Sequence, residues 1–226
     1  MKTTKRFEFK YIISYVDYFK IIDSLKFLLI HDQHGEKDAY NVTSIYLDDL
    51  VFSGASDKAF GNDNHKKYRI RHYNNFSNKN LELKYKSSFE TVKYSTTIDE
   101  VLYQAIIEGD LNILNQHFEN DLVRRFTLDF MLHHLSPTVV IEYQREAYRD
   151  EFNNLRITFD HSLFANHFES SKITEMDLKL LESSFLILEI KYESFFPDSI
   201  KEIFKKIGLN QIAYSKYFMG YNSLGL

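Results

Sequence analysis

The chain has 226 residues, 44% hydrophobic and 27% charged, with no Cys, no Trp, two Pro and a formal net charge of -4. This is enough apolar material for one sizeable core, so the whole chain is expected to fold as a single globular domain rather than remain disordered or fibrous. Without Cys there are no disulfides, thiolate zinc sites or Cys nucleophiles, and the net negative charge excludes a surface built for nonspecific nucleic-acid binding, so a polyanion site has to be a local concentration of positive charge.

Glu8, Lys10, Asp17 and Lys20 interrupt every apolar run near the N-terminus, and no later run is long enough to span a bilayer. A soluble, cytoplasmic protein without a membrane segment is expected. Strict alternation predicts a strand over 6–13, with Arg6, Glu8 and Lys10 on one face and Phe7, Phe9 and Tyr11 on the other. The period turns helical over 15–30, where Phe19, Ile22, Leu25, Leu28 and Leu29 form a stripe. After a polar loop, 41–47 reads as a second strand and 54–64, rich in Gly, Asn and Asp, as a loop.

Next, 67–71 gathers Lys67, Arg69 and Arg71 on one face; 81–86 aligns Glu82, Lys84 and Lys86, and the Asn-rich link between the two suits a hairpin. A short strand over 91–97 carries Lys93. Residues 99–134 read as helical, broken near Gly109-Asp110, with Asp99 and Asp110 as N-caps. Pro137 opens a β-branched strand over 138–149, Asn153-Asn154 turns into a strand over 155–160, and 161–184 shows only a short element near 178–181. A strand over 185–192 places Glu189 and Lys191 on one face; a helix follows Pro197 to Lys206, and a turn or helix lies around 215–219. There is no repeat of solenoid period, linker or low-complexity tract.

Strand after strand thus carries charge on one face and apolar residues on the other. Such strands either turn their charges to water, or close around them while helices cover the apolar outside. For a single strand the first arrangement is the commoner. The accumulation favours the second, an α+β fold built on an antiparallel β-barrel. Two cations at i and i+2 lie roughly 7 Å apart and repel by about 2 kcal/mol at an effective dielectric near 20. Several such pairs around one cavity call for interspersed carboxylates and a bound oligophosphate.

Eight segments, Arg6-Phe-Glu-Phe-Lys-Tyr11, Ser44-Ile-Tyr-Leu-Asp48, Lys67-Tyr-Arg-Ile-Arg71, Leu81-Glu-Leu-Lys84, Tyr143-Gln-Arg-Glu-Ala-Tyr148, Leu155-Arg-Ile-Thr-Phe-Asp160, Leu188-Glu-Ile-Lys-Tyr192 and Ser215-Lys-Tyr217, occur in this order. In that order the sequence resembles the VTC polyphosphate polymerase domain, a branch of the triphosphate tunnel metalloenzymes, from about residue 6 to 220. The resemblance implies a tunnel of antiparallel strands in which Lys10, Arg69, Arg71, Lys84, Lys93, Arg145, Arg156 and Lys216 bind phosphates. Lys10, Arg69, Arg71, Lys84, Arg145, Arg156 and Glu189 form its implied catalytic set; Lys93, Tyr143, Lys191, Ser215 and Lys216 its substrate-binding set. Glu189 is the implied ligand of a divalent metal, Mn²⁺ or Mg²⁺. The implied reaction moves the terminal phosphoryl group of ATP onto a polyphosphate chain.

Three readings follow: the polymerase, a triphosphatase of the same fold, and a polyphosphate-binding module without turnover. Arg6 stands where the triphosphatase branch has the first Glu of Glu-x-Glu-x-Lys, which favours the polymerase; Tyr94 stands where many members are basic, which favours the third reading. The regulatory and membrane domains of eukaryotic relatives have no counterpart in the sequence.

Taken without the resemblance, Glu189 is as readily one half of a surface ion pair as a metal ligand. Arg69 and Arg71 are the strongest candidates, because no acid accompanies them on their own strand face, while Lys67 reads as a rim residue. Alternation over 138–149 leaves open which face looks inward, that of Tyr143 and Arg145 or that of Glu142, Gln144 and Glu146; the resemblance selects Arg145. The nine His are scattered without ligand spacing, and no Gly-rich phosphate loop is present.

Overall fold

The computed structural model describes residues 7–32, 39–56, 65–74, 78–86, 91–150, 152–169 and 178–226. Along the chain these form β1 (Phe7–Ser14), α1 (Tyr15–Leu25), β2 (Ile30–His31), β3 (Tyr40–Asp48), α2 (Ser53–Ser56), β4 (His65–Tyr73), β5 (Lys79–Lys86), β6 (Thr91–Ile98) and α3 (Glu100–Glu108). Then come α4 (Leu111–Gln116), α5 (Asp121–His133), β7 (Ser136–Asp150), β8 (Leu155–His167), β9 (Leu178–Lys179), β10 (Phe185–Tyr192), α6 (Asp198–Ile207) and α7 (Lys216–Leu224). This is the expected α+β class, antiparallel strands with helices packed on their apolar faces. Two compact units can be distinguished, Met1–Asn41 with Tyr143–Leu163 and Lys179–Ser215, and Val42–Glu142 with Phe164–Leu178 and Lys216–Leu226.

In the first unit β1 pairs antiparallel with β10, and β10 with β8. Alternation sends Ile13, Leu155, Ile157, Phe159, Leu186, Leu188 and Ile190 to one side, where Ile21 and Leu25 of α1 and Ile200 and Phe204 of α6 close a core over them. Helix α1 starts where Ser14 accepts a hydrogen bond from the Asp17 N–H, which satisfies one of the first-turn donors. It ends sooner than its apolar stripe predicts. Ile30, expected at the end of that helix, instead forms β2 with His31, and the two pair with Arg149 and Tyr148 of β7, exchanging helical for ladder hydrogen bonds. Residues 161–167, expected as loop, extend β8, and Ser162 has a positive φ of 52° within the strand.

In the second unit β3, β4, β5 and β6 pair antiparallel in sequence order. Ile45, Leu47, Tyr68, Ile70, Leu81, Leu83 and Ile98 face a helical layer that contributes Leu102, Ala105 and Ile106 of α3, Leu114 of α4 and Val123 and Phe126 of α5. Asp99 and Asp110 cap α3 and α4 as expected. A further break, which the sequence reading passed over, occurs where Asn120 caps α5. The loop expected over 54–64 begins with α2, whose Gly54 and Ala55 N–H groups donate to the buried Asp48 carboxylate; residues 57–64 lie outside the described set. The turn or helix expected around 215–219 is helix α7, which runs on to Leu224, and it lies so close to β7 that a Cβ on Gly220 would stand 2.5 Å from Ile141 Cδ1. Among the described residues no helix is long and apolar enough to cross a membrane.

Candidate functional site

Opposite its core, each unit presents a charged face, and strand register fixes what stands beside what. In the first unit, Glu8 pairs with Lys191 and Lys191 with Arg156; one step along, Lys10 pairs with Glu189 and Glu189 with Thr158. Between β1 and β10 acids and bases therefore alternate both along and across the strands, whereas Lys191 and Arg156 set two bases side by side.

Glu189, only 4% exposed, is the hub of this face. It lies 2.9 Å from Lys191 Nζ, 3.4 Å from Lys10 Nζ and 3.7 Å from the Arg145 guanidinium. Lys10 also reaches Glu8 at 3.0 Å and donates to the Tyr214 carbonyl at 3.2 Å. Burial pulls the Lys10 ammonium toward its neutral form, but Glu189 and Glu8 outweigh that and hold it charged. For Lys191 burial wins: its ammonium is brought down to about 8, with Glu189 and Glu8 opposing and Arg145 assisting.

Arg145 is locked. Its Nε and Nη2 donate to the two oxygens of the fully buried Asp160 at 2.6 and 2.7 Å, a bidentate pair, and its guanidinium lies 5.2 Å from the Tyr143 ring centre. The ambiguity of the β7 faces is thereby resolved at Arg145, which joins Asp160 and Glu189. On the other face, Glu146 accepts from the hydroxyls of Tyr18 and Tyr148. Arg156 is oriented by the buried Asp32, 2.7 Å from Nη2, and by the Tyr40 hydroxyl at 3.1 Å. Ser215 immediately precedes α7.

The second unit's face has a different balance. Lys67, Lys84 and Lys93 stand in one row across β4, β5 and β6, and the next row holds Tyr46, Arg69, Glu82 and Ser95. A third row places Ser44, Arg71, Asn80 and Thr97 side by side. Among the described residues five cations thus share these rows with Glu82 and, at the end of β3 opposite Lys67, with Asp48, whose carboxylate accepts from the Tyr217 hydroxyl. Glu82 contacts Arg69 Nη2 at 2.6 Å and Lys93 Nζ at 2.5 Å. Burial would raise its carboxyl, but Arg69, Arg71 and Lys93 bring it down to about 2.

The acid missing from the Arg69 and Arg71 strand thus arrives from the neighbouring strand in register. Arg71 is buried, and its Nε donates to Ser44 Oγ at 3.1 Å. Burial would raise the Tyr46 phenol, yet Arg69, Arg71 and Lys216 lower it, so Lys216, expected from sequence, lies within electrostatic reach of Tyr46. Lys67 Nζ lies 5.6 Å from the ring centre of Tyr217, and that ring stacks on Tyr46. Tyr94 stands on the opposite face from Lys93 with the Arg125 guanidinium over its ring, so its departure from a basic residue does not alter the cationic rows.

Burial of Arg71, Glu82, Arg145, Asp160 and Glu189 overturns the alternative in which these strands turn their charges to bulk water. The sequence reading missed Glu8, Asp32, Tyr46, Asp160 and Thr158 as members of these faces. Glu8 was discoverable from its alternation with Lys10. The others needed the register, because their partners lie far along the chain.

Among the described residues no three His, Asp or Glu side chains gather to hold a metal. Glu8 and Glu189, however, share one face and both contact Lys10. One or two carboxylates completed by phosphate oxygens and water are a usual set for Mg²⁺, so these residues fit a metal that arrives with a phosphate ligand.

A family model for the VTC domain matches residues 5–225, and the chain belongs to that family. No curated protein matches the sequence. Solved structures share the fold at low identity. A Bacillus halodurans protein described as a candidate adenylate cyclase has 14% identity and a TM-score of 0.53, with 95% of this chain and 96% of that one covered. A candidate adenylyl cyclase from Hippeastrum, described as having a dominant triphosphatase activity, has 14% identity and a TM-score of 0.55, covering 96% and 95%. A candidate adenylate cyclase from Vibrio parahaemolyticus has 11% identity and a TM-score of 0.55, covering 96% and 98%. The fold is thus that of the triphosphate tunnel proteins.

Proposed function

We propose that this protein is a metal-dependent polyphosphate polymerase that transfers the terminal phosphoryl group of ATP to the end of a polyphosphate chain. The observation that carries the reading is the set of paired rows holding Lys67, Arg69, Arg71, Lys84 and Lys93 against two carboxylates among the described residues, Glu82 and the Asp48 that accepts from Tyr217, a surplus of positive charge that a phosphate chain complements. In the reaction the bond between the terminal phosphorus and its bridging oxygen breaks, ADP departs with that oxygen, and a terminal oxygen of the chain bonds to phosphorus.

Phosphoryl transfer asks a protein mainly for alignment and charge stabilisation, and no side-chain nucleophile is needed. In this reading Arg69 and Arg71 grip phosphate oxygens through planar forks, while Lys84, Lys93 and Lys216 neutralise charge as mobile points. Arg145, fixed by Asp160, meets the substrate without reorganising. Lys10, Arg156 and Lys191 bind phosphate beside Glu189, with Tyr143 and Ser215 completing the substrate-binding set. Glu189, with Glu8, would hold Mn²⁺ or Mg²⁺, whose chemistry is to neutralise charge building on the transferred group. The family match over 5–225 supports treating both units as one domain, and a cytoplasmic place of action belongs to the same reading.

A triphosphatase, with water as acceptor, is the second reading; the activity described for the Hippeastrum protein of the same fold favours it. Arg6 favours the polymerase. Incubation with ATP and Mn²⁺, with products resolved by chain length, separates the two. Long-chain polyphosphate with ADP is expected; ADP and orthophosphate alone would reject the polymerase, and no nucleotide consumption despite triphosphate binding would leave a binding module.

A further inference from the structure

On the charged face of β8, two donors next to each other have no acceptor. Thr158 is 2% exposed, and its Oγ makes no hydrogen bond. Two residues earlier on the same face, Arg156 directs its Nη2 to Asp32 and Tyr40, while its Nε is buried without a partner. Thr158 stands in register beside Glu189, and Arg156 beside Lys191. Glu189 is already engaged by Lys191, Lys10 and Arg145.

A buried hydroxyl without a partner is destabilising, and native proteins keep few of them. Two unpartnered buried donors on one strand face, Arg156 Nε beside Lys191 and Thr158 Oγ beside a Glu189 already engaged by Lys10, Lys191 and Arg145, call for an acceptor that brings several oxygens of its own. Side chains at i and i+2 lie about 7 Å apart, within the span of a phosphoryl group and its neighbour in a phosphoanhydride chain.

We propose that Thr158 is a substrate-binding residue: its hydroxyl and the Arg156 Nε–H donate to phosphoryl oxygens of one bound phosphate chain. The inference rests on the phosphate-binding reading above and adds to it a neutral donor that the charge pattern of the sequence does not reveal. A hydroxyl contributes direction where lysines contribute only charge, so Thr158 would fix the register of the chain along β8.

The test compares wild type with Thr158→Val and Thr158→Ser by titration with tripolyphosphate and by melting temperature without ligand. Removing an unpartnered hydroxyl by an isosteric change leaves the free protein as stable or more stable. Binding is expected to weaken about tenfold or more, the factor for one hydrogen bond to a charged group. The Ser variant is expected to bind within about twofold of wild type, since the hydroxyl is kept. A Val variant that binds like wild type overturns the role of Thr158 and leaves the phosphate-binding reading standing. One that melts lower without ligand also overturns it, since the hydroxyl would then serve the fold. Failure of the wild type itself to bind overturns both.

Discussion

Glu82 shows how one buried acid governs a cluster of bases. Its folded-state carboxyl, near 2 against an ordinary 4.5, is held down by Arg69, Arg71 and Lys93 against burial. A depressed carboxyl stabilises the fold above its unfolded pKa, and that stabilisation is lost as pH falls from about 4.5 toward about 2. Stability to urea is therefore expected to fall between these values, with Glu82 contributing up to about 3 kcal/mol of the loss, a share that Glu82→Gln removes from the slope. At pH 7 the same substitution leaves Arg69 and Lys93 uncompensated and costs about 3 kcal/mol. It should also enlarge the thermal shift caused by tripolyphosphate, because the anion then supplies the missing charge; an unchanged shift would detach Glu82 from the phosphate site. Glu189→Gln is expected to act differently, lowering kcat more than triphosphate affinity, because its charge matters most as charge develops in transfer. Equal losses in kcat and affinity would contradict that role. At this scale Arg69 and Arg71 were legible because like charges at spacing two are conspicuous; Arg145 came only from the family resemblance, and Asp160 not at all, because its pairing with Arg145 is a tertiary fact.

Helix caps and strand pairs explain which elements could be read and where they stop. Phe185–Tyr192 and the two Asp-capped helices α3 and α4 follow local rules, alternation in one case and a side-chain cap in the others. The end of α1 does not, since an apolar stripe continues through Leu28 and Leu29 after the chain has left the helix to pair with β7. The extension of β8 over 161–167 is likewise a pairing effect, in a segment whose polar residues read as loop. Two changes test this scale. Asp110→Ala removes the acceptor of the Asn112 and Ile113 N–H groups and should cost about 1 kcal/mol of stability. Gly220→Val should cost about 1 to 3 kcal/mol through overpacking, because even a Cβ there would meet Ile141 at 2.5 Å and Val139 at 3.1 Å. Unfolding midpoints equal to wild type would contradict the close seating of α7 on β7.

Across the molecule, the charge distribution explains how a chain of net charge -4 can still be suited to a polyanion. Its acids are unevenly spread: among the described residues Glu8, Glu189 and Asp160 interleave with Lys10, Lys191 and Arg145 in the first unit, while Glu82 and Asp48 stand among five cations in the second. The fold and family were legible because the eight motifs preserve an order over nearly the whole chain, each coupling alternation to a particular charge. Catalytic outcome was not, because polymerase and triphosphatase differ in the acceptor of the same phosphoryl group, and that choice leaves little mark on charge pattern. The claim beneath either reaction is that the buried cations exist to hold linked phosphates. Calorimetric titration of wild type and Arg71→Lys with tripolyphosphate tests it most directly, since Lys retains the charge but not the planar fork. The account predicts salt-sensitive binding by wild type, much weaker binding of orthophosphate, and at least about tenfold weaker tripolyphosphate binding by the variant; no binding by wild type, or equal binding by both, would contradict it.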